Sequence, residues 1–159
     1  MFPIQNGVPH RSAPFVTWSL IATNVAVFLY QVSLSPPALD RFLVDYALIP
    51  GRYFVPLPFV PEPTLSDYLP FATNMFLHGG WLHLILNMWT LFLFGPTVED
   101  RMGGARYLLF YLFCGIAAST AHAYFNATSF VPALGASGAI AGVIGAFVRL
   151  FPLDRKSVV

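Results

Sequence analysis

The sequence predicts an all-α membrane protein, a bundle of transmembrane helices. Its 159 residues are 57% hydrophobic and only 9% charged, whereas a soluble globular chain carries roughly 25% charged residues. Charges leave gaps near 14–35, 79–98, 107–125 and 131–148, each close to the roughly 20 apolar residues that a helix needs to cross a bilayer. Lys and Arg also segregate when alternate connections are grouped, as they do in multi-pass proteins. A net charge of +1 with no basic stripe argues against nucleic acid as a partner, since nothing is there to neutralise a row of phosphates. The lipid bilayer is the partner that the composition itself implies.

Residues 1–13 read as a tail that holds His10, to which no role is assigned, and Arg11. The first span exceeds the about 7 to 15 apolar residues of a signal-peptide core and lacks a clear small-x-small cleavage site, so it reads as a retained helix. The connection 36–77 is too long for a plain turn. Its stretch RFLVDYALIPGRYF sets Phe42, Leu43, Tyr46 and Leu48 among charges, the pattern of a segment lying in the interface plane. The following PLPFVPEP cannot propagate a helix and predicts irregular structure at the bundle mouth.

The second span ends on Glu99, Asp100 and Arg101, where an ion pair would fix a turn over 99–106. The third contains Cys114, a lone cysteine read as packing, and His122, read as a satisfied histidine near the outer end. In the fourth, Gly138 and Gly142 form a GxxxG pair that Ala141 and Gly145 continue, the small stripe that lets helices touch. The membrane domain is expected over 14–152, with a tail at 153–159. Arg11, Arg101, Arg106, Arg149, Arg155 and Lys156 fall on one side and only Arg41 and Arg52 on the other, so both termini are predicted to be cytoplasmic. A bacterial inner (plasma) membrane is the default expectation.

Polar side chains within a span need a partner or a job. HGGWLHLILNM places His83 and Asn87 four apart, on one helix face. The second and fourth spans start from the same side. Counted as helical rise, Asn87 lies about 12 Å below Gly79 and Ser137 about 8 Å below Pro132, so the three polar groups share a level. That constellation suits acyl transfer: the Asn87 amide, a His83 ring N–H and the Ser137 backbone N–H would stabilise the oxyanion formed when a serine attacks a carbonyl. Gly135 and Gly138 would let a substrate backbone approach the serine. His78 and His83, five apart, are poor evidence for a metal without further ligands.

HGGWLHLILNM, GPTVEDRMGG and GASGAIAGVIGA, in this order over about residues 71–152, resemble the rhomboid intramembrane serine proteases. The resemblance implies a rhomboid-like helical bundle of six or more core helices, four of them in this chain, and a Ser-His dyad that cleaves transmembrane or juxtamembrane segments without cofactor or metal. It implies Ser137 as nucleophile, His83 and Asn87 as the oxyanion hole, and His78 in the network beneath the first loop. Glu99 and Arg101 would belong to the turn after the second span, and Gly142 to a contact with the helix bearing the catalytic histidine. The family's frequent Trp-Arg pair in the first loop has no match around Tyr68 and Leu69. The general-base histidine of a sixth helix does not occur before Val159, so the chain as it stands is expected to be inactive, because serine needs an adjacent base.

Three functions fit these residues: part of a rhomboid protease, a non-catalytic rhomboid-like protein that binds transmembrane segments, or a structural four-helix membrane protein. With two core helices absent, the small face from Gly138 to Ala146 is expected to be an open groove, and the chain to be either unstable or associated with another chain through it.

Overall fold

The computed structural model describes residues 12–56 and 64–151. Arg11, Arg155, Lys156 and all of PLPFVPEP after Pro56 lie outside the described residues. The helices are α1 (Phe15–Ser33), α2 (Pro36–Tyr46), α3 (Gly51–Phe54), α4 (Pro70–Thr73), α5 (Trp81–Met102), α6 (Gly104–Phe125) and α7 (Ser137–Leu150), with 3-10 turns at Leu65–Tyr68 and Asn74–Phe76. An antiparallel bridge pairs Leu48 with Ala133. The molecule is an all-α, rhomboid-like membrane protein: α1, α5 and α6 are each long and apolar enough to cross a bilayer.

The fourth span differs from expectation. Its helix begins at Ser137 rather than near 131 and runs 14 residues, about 21 Å at 1.5 Å per residue. Pro132 has no N–H to give, Ala133 is paired with Leu48, and Gly135 stands at φ +119°, so the chain enters as a non-helical segment. The helical rise through 132–137 on which the expected depth match between Ser137 and Asn87 rests is therefore absent.

The expected turn over 99–106 is also shorter. Helix continues to Met102, and a Gly103 at φ 80° makes the hinge into α6. Glu99 and Arg101 thus belong to the last turns of α5. Glu99 is buried, and its oxygens accept hydrogen bonds from the Val16 and Thr17 N–H groups (2.9 and 2.8 Å) and from the Thr17 hydroxyl (2.7 Å). The carboxylate fastens the start of α1, where helical N–H groups lack partners. Arg101 lies over the Phe151 ring, 5.6 Å from its centroid.

The inward face of α1 carries Thr17, Asn24 and Gln31 at seven-residue intervals, all buried, with Leu20 and Phe28 between them. Thr17 meets the Tyr107 hydroxyl over Gly95, where an added Cβ would lie 2.8 Å from both. At the other end Gln31 clamps the His78 backbone, accepting from its N–H at 3.0 Å and donating to its C=O at 3.2 Å.

Small residues let α7 lie directly on α6. A Cβ at Gly142 would sit 2.5 Å from Cys114 Sγ, and one at Gly138 would collide with the Ala118 Cβ. Gly142 therefore packs on the preceding helix, and the Gly138–Gly142 side of the expected groove is closed. The open face of α7 is the one bearing Ser137, Ala141, Gly145 and Val148, all exposed.

In the first loop, α2 buries none of its residues, and Phe42 packs edge-on against Tyr30 of α1 at 5.5 Å. The following Ala47, Leu48, Ile49 and Gly51 are buried, tying this outer helix to the bundle.

Candidate active site

Ser137 is the first residue of α7 and is exposed at the helix N-terminus. Unpaired backbone N–H groups and the positive end of the helix dipole therefore surround the hydroxyl, an environment that favours developing negative charge. Two residues earlier, the Gly135 N–H donates to the Asn74 carbonyl at 2.9 Å. A Cβ at Gly135 would lie 2.6 Å from His83 Cε1, 2.7 Å from Nε2 and 3.7 Å from Asn87 Nδ2. Both the left-handed backbone and the imidazole therefore require glycine here.

The segment leading to Ser137 thus rests, through Gly135, on the α5 face that carries His83 and Asn87. Asn87 is nearly buried, and its Nδ2 has no partner, leaving a fixed donor available to an incoming oxygen. Both glycines beside the serine serve close packing: Gly135 makes room for His83, and Gly138 for Ala118, the latter as its small-residue stripe predicts.

His78 adjoins the site without entering it. Its ring stands edge-on to His83, with centroids 5.1 Å apart, and both its nitrogens are buried without partners. Burial first, then the neighbouring His83, pushes the imidazole down to about 4, so the ring is neutral at physiological pH. Gln31 holds its backbone and Phe28 closes over it. Glu99 and Arg101 lie at the far end of α5 from His83, where they organise the inner end of the bundle.

Beside Ser137 lies a cavity of about 420 Å³, with Asn74, Ser119, His122, Gly135 and Gly138 in its wall. At its buried side the Asn74 Nδ2 donates to Ser119 Oγ at 2.9 Å. Sequence reasoning missed Asn74, Ser119 and Gln31, and treated His122 as a satisfied residue remote from the site. The available signal was their polarity inside or beside apolar spans. No group of three or more His, Cys, Asp or Glu that would hold a metal ion occurs among the described residues.

This arrangement can offer a carbonyl carbon an attacking hydroxyl, hydrogen-bond donors from α5 and the α7 N-terminus for the resulting oxyanion, and a cavity for an adjoining side chain.

A family model described as "Rhomboid domain" matches residues 66–159. Among similar proteins, "Rhomboid protein 1, mitochondrial" of Saccharomyces cerevisiae is 30% identical over 142 residues, which is 86% of this chain and 37% of that protein. "Rhomboid protease AarA" of Providencia stuartii is 27% identical over 146 residues, 84% of this chain and 50% of that one. "Rhomboid protease GluP" of Bacillus subtilis is 40% identical over 91 residues, covering 57% and 17%. The chain spans half or less of the length of each of these relatives. They are mitochondrial as well as bacterial, so the expectation of a bacterial inner membrane finds no support in them.

Proposed function

The chain belongs to the rhomboid family, and from that premise we propose that it carries the nucleophile and oxyanion donors of a serine endopeptidase acting on transmembrane or juxtamembrane segments of membrane proteins. The observation that carries this reading is the seat of Gly135 on His83 beside the unpartnered Asn87 Nδ2, two residues before Ser137.

In this reading the Ser137 hydroxyl attacks the scissile carbonyl and loses its proton to a base, which later passes it to the leaving amine. The resemblance assigns that base to a histidine on a sixth core helix. Charge moves to the carbonyl oxygen, where Asn87 Nδ2, a His83 ring N–H and backbone N–H groups at the start of α7 donate to it. The cavity walled by Asn74, Ser119 and His122 receives the neighbouring substrate side chain. No cofactor or metal enters the reaction. Both termini are read as cytoplasmic, supported by Arg101, Arg106 and Arg149 at one end of the bundle and Arg41 and Arg52 at the other.

A fluorophosphonate probe applied to the protein in membranes tests the nucleophile. Labelling is expected on Ser137 and is lost in Ser137→Ala; labelling that survives the substitution overturns the assignment.

One observation favours a second reading, in which the protein binds transmembrane segments without cutting them. The exposed face of α7 is small and open, and a Cβ at Gly145 would meet nothing within 4 Å. Such a face admits close approach of another helix in lipid.

A further inference from the structure

We infer that Phe130 and Gly51 form a latch through which the first loop positions the Ser137 segment, a role that rests on Ser137 being the nucleophile. The residues between α6 and α7 lack helical hydrogen bonding of their own, and four backbone bonds hold them. The Gly51 N–H donates to the Ser129 carbonyl at 2.7 Å, the Ala133 N–H to Leu48 at 2.8 Å, the Leu48 N–H to Ala133 at 3.3 Å, and the Gly135 N–H to Asn74 at 2.9 Å. Three of the four thus engage the short stretch 48–51 of the first loop.

That stretch is a fixed anchor, because Ala47 and Leu48 are 1% and 0% exposed. Phe130 lies across it. A Cβ on Gly51 would come 2.8 to 2.9 Å from three carbons of the Phe130 ring, so the ring rests directly on the glycine backbone. The same residue is 52% exposed, so the ring lies against Gly51, whose N–H makes the bond to Ser129, while the rest of it faces outward. By excluding competing water it strengthens the bonds beneath it.

The chemical consequence follows from the chain's path. Ser129 and Ala133 precede Gly135, which fits against His83 only in one register, and Ser137 follows two residues later. Releasing the latch lets the segment shift, moving the serine relative to His83 and Asn87 while α5, α6 and α7 keep their packing. Phe130 and Gly51 are thus positioning residues that touch no reacting atom.

Amide hydrogen exchange on the 159-residue protein in lipid nanodiscs tests the latch. Phe130→Ala is expected to speed exchange at Ala133 and Gly135 about tenfold, the weight of roughly one net hydrogen bond, with amides inside α5 and α6 unchanged. Phe130→Tyr, which keeps the ring, is expected to restore wild-type exchange. Unchanged exchange at Ala133 and Gly135, an even rise throughout α5 and α6, or failure of the tyrosine to rescue each overturns the proposal. Fluorophosphonate labelling of Ser137 is expected to slow in Phe130→Ala and recover in Phe130→Tyr. Absence of labelling in the unsubstituted protein would count against the nucleophile reading alone, because the exchange measurement decides the latch without it.

Discussion

At the scale of single residues, Gly135 is the most constrained position near the serine. Its φ of +119° is unfavourable for any side chain, and the space where a Cβ would go is filled by His83. Gly135→Ala is therefore expected to reduce unfolding free energy in detergent by about 1–3 kcal/mol or more. Gly145→Ala, in open space on the same helix approach, is expected to leave stability unchanged or raise it by up to about 1 kcal/mol through helix propensity. Equal effects of the two substitutions would show that the His83 seat is not what fixes the turn. His83, Asn87 and Ser137 were legible in the sequence because polar groups within apolar spans stand out. The seat of Gly135 on His83 was not legible, because a glycine's purpose depends on which atom lies where its side chain would be.

At the scale of elements, Glu99 joins two helices that are distant in sequence. Glu99→Ala would leave the Val16 and Thr17 N–H groups and the Thr17 hydroxyl without their acceptor inside the bundle. Orphaning buried donors costs about 1–3 kcal/mol each when no water replaces the acceptor, so thermal unfolding in detergent should shift strongly downward. Arg101→Ala, which removes an exposed cation–π contact with Phe151, is expected to cost no more than about 1 kcal/mol. A reversed order would mean that Glu99 is not the fastening of α1. The charge pattern located the end of α5 to within a few residues, but did not reveal what Glu99 holds. The donors that Glu99 accepts from are backbone groups, which carry no signature in composition. The same blindness explains the fourth span: an unbroken apolar run looked like helix from 131, and the pairing of Ala133 with Leu48 kept its first residues out of the helix.

At the scale of the whole molecule, α7 has two unlike sides. One is closed against α6 through Gly138 and Gly142, and the other presents Ser137, Ala141, Gly145 and Val148. Under the binding reading, a photo-crosslinker placed at Ala141 is expected to capture a transmembrane segment whether or not Ser137 is replaced by alanine, whereas one placed at buried Val143 captures none. Capture at neither position would remove the support for that reading. The sequence by itself determined the class of molecule and three of its membrane-length helices, because hydropathy is a local property of the chain. Only the tertiary structure decided how the segment before Ser137 meets His83 and Asn87. That meeting depends on a non-helical segment held by backbone bonds to the first loop and seated on His83, and such long-range hydrogen bonds leave no periodicity in the sequence.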